Sequence, residues 1–197
     1  MQRIVFFGDS NTYGYEPGEI YGGRYPLSVR WTDRLAESFK DGWEIISRGL
    51  NGRCIPGIPA DRNYMDPYLE NLGFIDVFAV MLGTNDVFLS YHPDAEAVGR
   101  KMETFLTYLR DKKNLREILL IAPPAAGPEE MTDVRLRIYA EEAKKLPSGY
   151  REIAERQNVR FVDADAWHIP MAYDGVHFSE EGHRIFAAEM KRYMDSF

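Results

Sequence analysis

The chain has a single cysteine, Cys54, among 197 residues, so no internal disulfide can form. One thiol and four scattered histidines do not make a structural zinc site either. A reducing compartment, the cytoplasm, is expected. Long basic runs are lacking: 24 Lys and Arg stand against 31 Asp and Glu, giving a formal charge of −7 and a pI near 5.2. Nucleic acid and anionic membrane surfaces are therefore not expected partners. Long apolar runs are lacking too. The longest, residues 118–126, has nine residues and includes two prolines, well short of the roughly 20 a membrane helix needs. At the N-terminus only Ile4 to Phe7 are apolar before Gly8, too few for a secretory signal. Neither a Gly-x-Gly-x-x-Gly fingerprint nor a Gly-x-x-x-x-Gly-Lys phosphate loop is found, which removes the usual nucleotide-binding forms of an α/β fold. With no repeat, low-complexity tract or linker-like shift in composition, residues 1–197 read as one domain.

What is there is ordinary globular composition, 45% hydrophobic and 28% charged, with an aromatic content of 13%. Short apolar runs recur at Arg3–Phe7, Trp43–Ile46, Val77–Leu82, Ile118–Ala122 and Arg160–Val162. The first, third and fourth are continuously apolar rather than alternating, as expected of parallel strands covered on both faces. Helical periods lie between them: Trp31, Leu35 and Phe39; then Val98, Met102, Phe105, Leu106 and Leu109. A charged segment from Glu129 to Arg156 reads as partly helical, interrupted by Pro147-Ser148-Gly149. A last helix is capped by Ser179, with the stripe Phe186, Met190, Tyr193 and Phe197. Strands alternating with helices predict a three-layer α/β/α sandwich on a five-stranded parallel sheet. Ligands of such sheets bind beyond the carboxyl ends of the strands.

The residues after those ends are Gly8-Asp9-Ser10, the stretch Gly49 to Cys54, Gly83-Thr84-Asn85-Asp86, and Asp174-Gly175-Val176-His177-Phe178. A serine hydroxyl needs a base to become a nucleophile, and the base needs an acceptor that holds its tautomer. Ser10, His177 and Asp174 can fill those roles. The backbone N–H groups of Ser10 and Gly52 and the side-chain amide of Asn85 are candidate oxyanion donors.

Those four blocks, in that order, resemble the SGNH or GDSL hydrolases, whose name comes from blocks contributing Ser, Gly, Asn and His. Val29-Arg30-Trp31-Thr32, Gly49-Leu50 and Met81 to Asp86 are similar to the arylesterase and acyltransferase branch. The resemblance implies a flavodoxin-like fold, a metal-independent triad without cofactor, and small-molecule ester substrates; the branch is compatible with a homo-oligomer. Three positions depart from the family pattern. Asn11 replaces Leu, lies past the nucleophile and is not expected to alter the chemistry. Ser47 stands where many members have Asn, and Cys54 where they often have Thr.

The α/β-hydrolase elbow Gly-x-Ser-x-Gly is excluded because position 12 is Thr. Three functions stay open: hydrolysis of short-chain acyl, aryl or sugar acetyl esters; transfer of the acyl group to an alcohol; or a non-catalytic binding module. Tyr13, Arg53, Phe88 and Val176, on the loops that carry the blocks, are candidate substrate contacts, with a structural ion pair the alternative for Arg53. Asp9 reads as structural and Cys54 as a small packing residue. Tyr13, Tyr15, Tyr21, Tyr25, Tyr64, Tyr68, Phe88, Tyr91, Trp167 and Tyr173 all fall in loops leaving the carboxyl edge. They would form either an aromatic wall around an ester pocket or the packing of those loops.

Overall fold

All five apolar runs fold as strands, and the periodic segments between them as helices. The computed structural model describes residues 1–18, 22–39, 41–126 and 134–196. In chain order the elements begin with β1 (Gln2–Gly8), α1 (Ser10–Tyr13), β2 (Tyr15–Glu16), β3 (Gly23–Arg24), α2 (Trp31–Ser38) and β4 (Trp43–Gly49). There follow α3 (Arg62–Asn71), β5 (Ile75–Met81), α4 (Thr84–Phe88), α5 (Ala95–Arg110) and β6 (Leu115–Ala122). The chain closes with α6 (Val134–Ala143), α7 (Leu146–Gln157), β7 (Arg160–Asp163) and α8 (Glu180–Met194).

Five strands form a parallel sheet in the order β4-β1-β5-β6-β7. Strand side chains alternate between faces, and both faces of β1, β5 and β6 are covered, which is why those three runs are continuously apolar, whereas the edge strands β4 and β7 carry charged residues. Ile4, Phe6, Val77, Leu119 and Ile121 face Trp31 and Leu35 of α2 and Phe186 and Met190 of α8. Val5, Phe7, Phe78, Val80 and Leu120 face α3, α5 and α7, with Phe105, Leu106 and Tyr150 wholly buried. Trp31 is wedged between Phe6 (ring centroids 4.8 Å apart) and Phe186 (4.5 Å). Removing a buried ring of this kind costs about 3–5 kcal/mol. The N-terminus of α2 has no capping side chain of its own. Instead, the buried His183 of α8 accepts the Trp31 N–H through Nδ1 at 3.4 Å. Burial, with Arg34 and Arg30 adding to it, pushes the His183 imidazole down to about 3, so the ring is neutral and free to accept.

Three local expectations are corrected. Residues 62–71, expected as loop, are helical despite Pro67, because burial of Met65 and Leu69 one turn apart outweighs the hydrogen bond the proline cannot make. Tyr64 and Tyr68 therefore sit on a helix. Pro147-Ser148-Gly149 does not interrupt the charged segment. The break falls at Lys144-Lys145, and Pro147 occupies the first turn of α7, where its missing N–H costs nothing. The insertion after Ser10 contains a two-stranded antiparallel pair, Tyr15↔Arg24 and Glu16↔Gly23, which was not expected. Tyr21, residues 127–133 and Phe197 lie outside the described residues.

Register brings Gly8 level with Gly49 on one side and Met81 on the other. The ends of β4, β1 and β5 thus open onto one crevice. There the strand order reverses around β1, the position at which open α/β sheets place their ligands.

Candidate active site

Ser10 opens the single turn of α1. Asp9 caps it by accepting the Asn11 N–H at 3.0 Å, and Gly14, in the left-handed region, closes it on the Ser10 carbonyl. This turn lies directly on the end of β4: a Cβ on Gly49 would come within 2.0 Å of the Tyr13 nitrogen. Only glycine lets the serine turn sit so low on the sheet.

His177 reaches Ser10 from the loop before α8. Its Nε2 lies 3.1 Å from Ser10 Oγ, and its Nδ1 lies 2.6 Å from Asp174 Oδ2. A carboxylate can only accept, so Nδ1 carries the proton and the Nε2 lone pair faces the hydroxyl. The other oxygen of Asp174 accepts the N–H groups of Val176 and His177 at 3.0 Å each. Partial burial pushes the Asp174 carboxyl up, but the ring and these two N–H groups outweigh it and hold the group below its ordinary value. The loop is further tied by the Ala172 N–H to the His177 carbonyl and by a bridge between Met171 and Phe178.

Asn85 lies in the first turn of α4. Gly83 precedes it with a φ of 126°, and a Cβ there would meet the Tyr150 hydroxyl at 2.4 Å. That buried hydroxyl donates to the Leu82 carbonyl at 3.0 Å, fixing the turn from α7. One N–H of the Asn85 amide is held by the Arg53 carbonyl at 3.0 Å, leaving the second amide proton to be directed by this geometry. Next to it, Asp86 accepts the Ile55 N–H at 2.9 Å and the Lys101 ammonium at 2.7 Å. Asn85 and Asp86 so stitch the loop after β5 to the Gly52 loop after β4, where Gly52 has a φ of 72°.

The Arg53 guanidinium lies 4.0 Å above the Phe7 ring and donates to the carbonyls of Gly8 and Arg48. It therefore binds the ends of β1 and β4. Asp9 is buried nearby, and its carboxyl is pushed up to about 6 by burial, against the opposing pull of the Asn11 N–H, His177 and Arg53. Among the other candidate contacts, the Tyr13 ring lies 4.2 Å beneath the Arg24 guanidinium. Phe88 packs on Tyr139, and Val176 is held within the His177 loop.

The aromatic residues separate into two sets. Tyr15 lies on the imidazole of His177, with ring centroids 4.5 Å apart, and the Tyr173 hydroxyl donates to the Pro17 carbonyl at 2.8 Å, tying the His177 loop to the segment after β2. Tyr25 packs on His183, Tyr68 on Phe7 and Trp167 on Phe186, while Tyr91 is 90% exposed beside His92. Of the two alternatives, an aromatic wall or the packing of the loops, Tyr25, Tyr68 and Trp167 make packing contacts, while Tyr15 lies against the base.

Sequence reasoning passed over Asn11 as irrelevant to the chemistry. Its amide donates to the Val176 carbonyl at 3.0 Å and accepts the Phe178 N–H at 2.8 Å, one residue on either side of His177. Among the described residues, no group of three or more His, Cys, Asp or Glu is placed to hold a metal ion, and no helix is long and apolar enough to cross a membrane.

A family profile described as GDSL-like lipase/acylhydrolase matches residues 6–185. A comparison with curated proteins returned no match. Among solved structures, the chain is similar to Est24, a carbohydrate acetylesterase from Sinorhizobium meliloti, with a TM-score of 0.83, 27% identity and full coverage of both chains. It is likewise similar to an aryl esterase from M. smegmatis, with a TM-score of 0.84 and 25% identity over 100% of this chain and 99% of that one. A lipase/acylhydrolase from Enterococcus faecalis shares the fold, with a TM-score of 0.71 and 22% identity over 100% of this chain and 96% of that one.

Proposed function

The chain belongs to the GDSL-like lipase/acylhydrolase family and is a carboxylic ester hydrolase, and from that premise we propose that Ser10 is its nucleophile, His177 its general base and acid, and Asp174 the group that orients the imidazole. The observation that carries this reading is the unbroken chain from Ser10 Oγ through the His177 ring to the Asp174 carboxylate.

In the first half-reaction Ser10 Oγ attacks the acyl carbon while His177 Nε2 takes its proton. The carbonyl oxygen becomes an oxyanion, met by the N–H groups of Ser10 and Gly52 and the free amide proton of Asn85. Collapse of the tetrahedral adduct breaks the bond to the alkoxy oxygen, which leaves as the alcohol with the proton from His177. Water then attacks the acyl-Ser10 ester, again with His177 as base. The second adduct releases the carboxylic acid and returns the proton to Ser10. Asp174 remains ionised throughout and stabilises the imidazolium.

The solved neighbours are named as an aryl esterase and a carbohydrate acetylesterase, which supports short acyl groups, on aryl alcohols or on sugars, as substrates. Tyr13 and Phe88, the last residues of the short helices α1 and α4 that carry Ser10 and Asn85, and Val176, in the loop between Asp174 and His177, are the proposed substrate contacts. Arg53 is proposed to serve the site by holding the strand ends. We read residues 1–197 as one hydrolase domain, a reading supported by a site that draws on residues 10 to 177. The single cysteine supports a cytoplasmic location.

The test is fluorophosphonate labelling combined with hydrolysis of p-nitrophenyl esters of increasing acyl length, with and without added alcohol. Stoichiometric labelling of wild type, none of Ser10→Ala, and loss of nearly all turnover in that folded variant are expected. Wild-type turnover by Ser10→Ala would remove Ser10 from the mechanism. An ester product dominating in the presence of alcohol would identify acyl transfer as the preferred second step.

A further inference from the structure

Asn11 stands directly after the proposed nucleophile, is 7% exposed, and uses every hydrogen-bonding group it has except its second amide proton on identified partners. Its main-chain N–H is held by Asp9 Oδ1 at 3.0 Å, and its carbonyl accepts the Trp31 indole N–H at 2.9 Å. With its backbone so fixed, its side chain spans to the His177 loop, 165 positions later in the chain. The amide orientation is unambiguous, because the Phe178 N–H can only donate and the Val176 carbonyl can only accept. These two bonds bracket His177, one on each side. The serine and the histidine are thus referred to one common side chain.

We propose that Asn11 is a positioning residue that sets the distance and angle between Ser10 Oγ and His177 Nε2 by clamping the histidine loop to the serine turn. This rests on the assignment of Ser10 and His177 as nucleophile and base. The triad spans two segments that have no covalent route between them shorter than most of the chain. Asp174 orients the ring from within its own loop, through its bonds to Val176 and His177. Asn11 supplies the cross-link. Proton transfer is steep in geometry, and a misplacement of about 1 Å can cost about 10²-fold in rate. A leucine here fills similar space yet offers neither bond, leaving the buried Phe178 N–H without its acceptor.

The experiment compares Asn11→Leu, Asn11→Asp and Ser10→Ala with wild type. Folding is checked by circular dichroism, kcat and KM are measured across pH, and the proton shared by His177 and Asp174 is followed as a far-downfield NMR resonance. For Asn11→Leu the expected result is a fall in kcat of about 10²-fold, with KM within about threefold and the downfield resonance shifted or broadened. Asn11→Asp keeps the acceptor for Phe178, loses the donor to Val176 and adds a negative charge beside the base. It should lose less activity and move the acid limb of kcat/KM to higher pH. If Asn11→Leu does not fold, the near-isosteric Asn11→Asp decides alone. Folded variants with wild-type kcat, an unmoved pH profile and an unmoved resonance would overturn the proposal, even if their melting temperatures fell. Ser10→Ala separates the two levels: full activity there would overturn the triad itself, whereas loss there beside a wild-type Asn11→Asp would overturn only the clamp.

Discussion

The carboxylate of Asp174 divides its oxygens between the ring and the backbone of the residue it serves: Oδ2 lies 2.6 Å from His177 Nδ1, and Oδ1 accepts the His177 N–H at 3.0 Å. The carboxylate cannot rotate without breaking a main-chain bond. Both the tautomer of the ring and the path of the loop therefore depend on one group.

That arrangement predicts the outcome of Asp174→Asn. The two main-chain N–H groups will claim the amide oxygen, so the amide NH₂ must face Nδ1. Nδ1 then becomes the acceptor, the ring proton moves to Nε2, and the nitrogen facing Ser10 can no longer accept. A fall in kcat of about 10⁴-fold on p-nitrophenyl acetate is expected, as in other triads with this change, with the fold retained by circular dichroism. Activity within tenfold of wild type would show that another group orients the base.

Asn85 is held by one amide proton on the Arg53 carbonyl, at 3.0 Å, which directs the other. A donor that meets charge only in the transition state should affect kcat and leave KM nearly unchanged. Asn85→Ala should lower kcat by about 10²–10³-fold, with KM within about threefold. A large rise in KM at constant kcat would instead make Asn85 a ground-state substrate contact.

The sheet was legible in the sequence because burial on both faces leaves continuous apolar runs. The ends of those runs located the blocks of Ser10, Gly52 and Asn85, whereas Asp174 and His177 lie well past the end of β7, in the loop before α8. Where legibility failed, the causes were local. The helix at Arg62–Asn71 carries Pro67 and is anchored by only two buried side chains, so its periodic signal is weak. Strands of two residues, Tyr15–Glu16 and Gly23–Arg24, are too short to carry any period. Asn11 was unreadable for a different reason. Its side chain has meaning only through Val176 and Phe178, and no local pattern can report a bond across 165 positions. The aromatic content left two alternatives open for the same reason: only the tertiary contacts show that Trp167 and Tyr68 pack against the core.

Tyr15 is the ring in contact with the base, its centroid 4.5 Å from that of His177. Such a contact is worth about 1 kcal/mol, and it limits the rotation of the imidazole. Tyr15→Ala should lower kcat/KM by about fivefold, and Tyr15→Phe, which keeps the ring, should stay within about twofold. Equal losses in both variants would show that the hydroxyl, not the ring, is what the site uses.

Asp9 supplies a prediction on stability. Burial pushes its carboxyl from 3.8 up to about 6, and the Asn11 N–H, His177 and Arg53 only partly oppose this. In the unfolded chain the group titrates near its ordinary value. Between about pH 4 and pH 6 the folded protein thus keeps a proton that the unfolded chain has released. Stability contributed by this group is full below about pH 4, falls as pH rises through that window and stays lower above it. A shift of about two units corresponds to about 3 kcal/mol. Asp9→Asn presents the neutral form at every pH and keeps an oxygen for the Asn11 N–H. Relative to wild type, it should be more stable by about 3 kcal/mol at pH 8, with the difference shrinking towards zero below pH 4. Urea unfolding of both proteins at pH 4, 5, 6 and 8 measures this difference directly. A difference that does not change with pH would mean that the Asp9 carboxyl holds its proton equally well in the folded protein and in the unfolded chain, so that burial brings it no net shift.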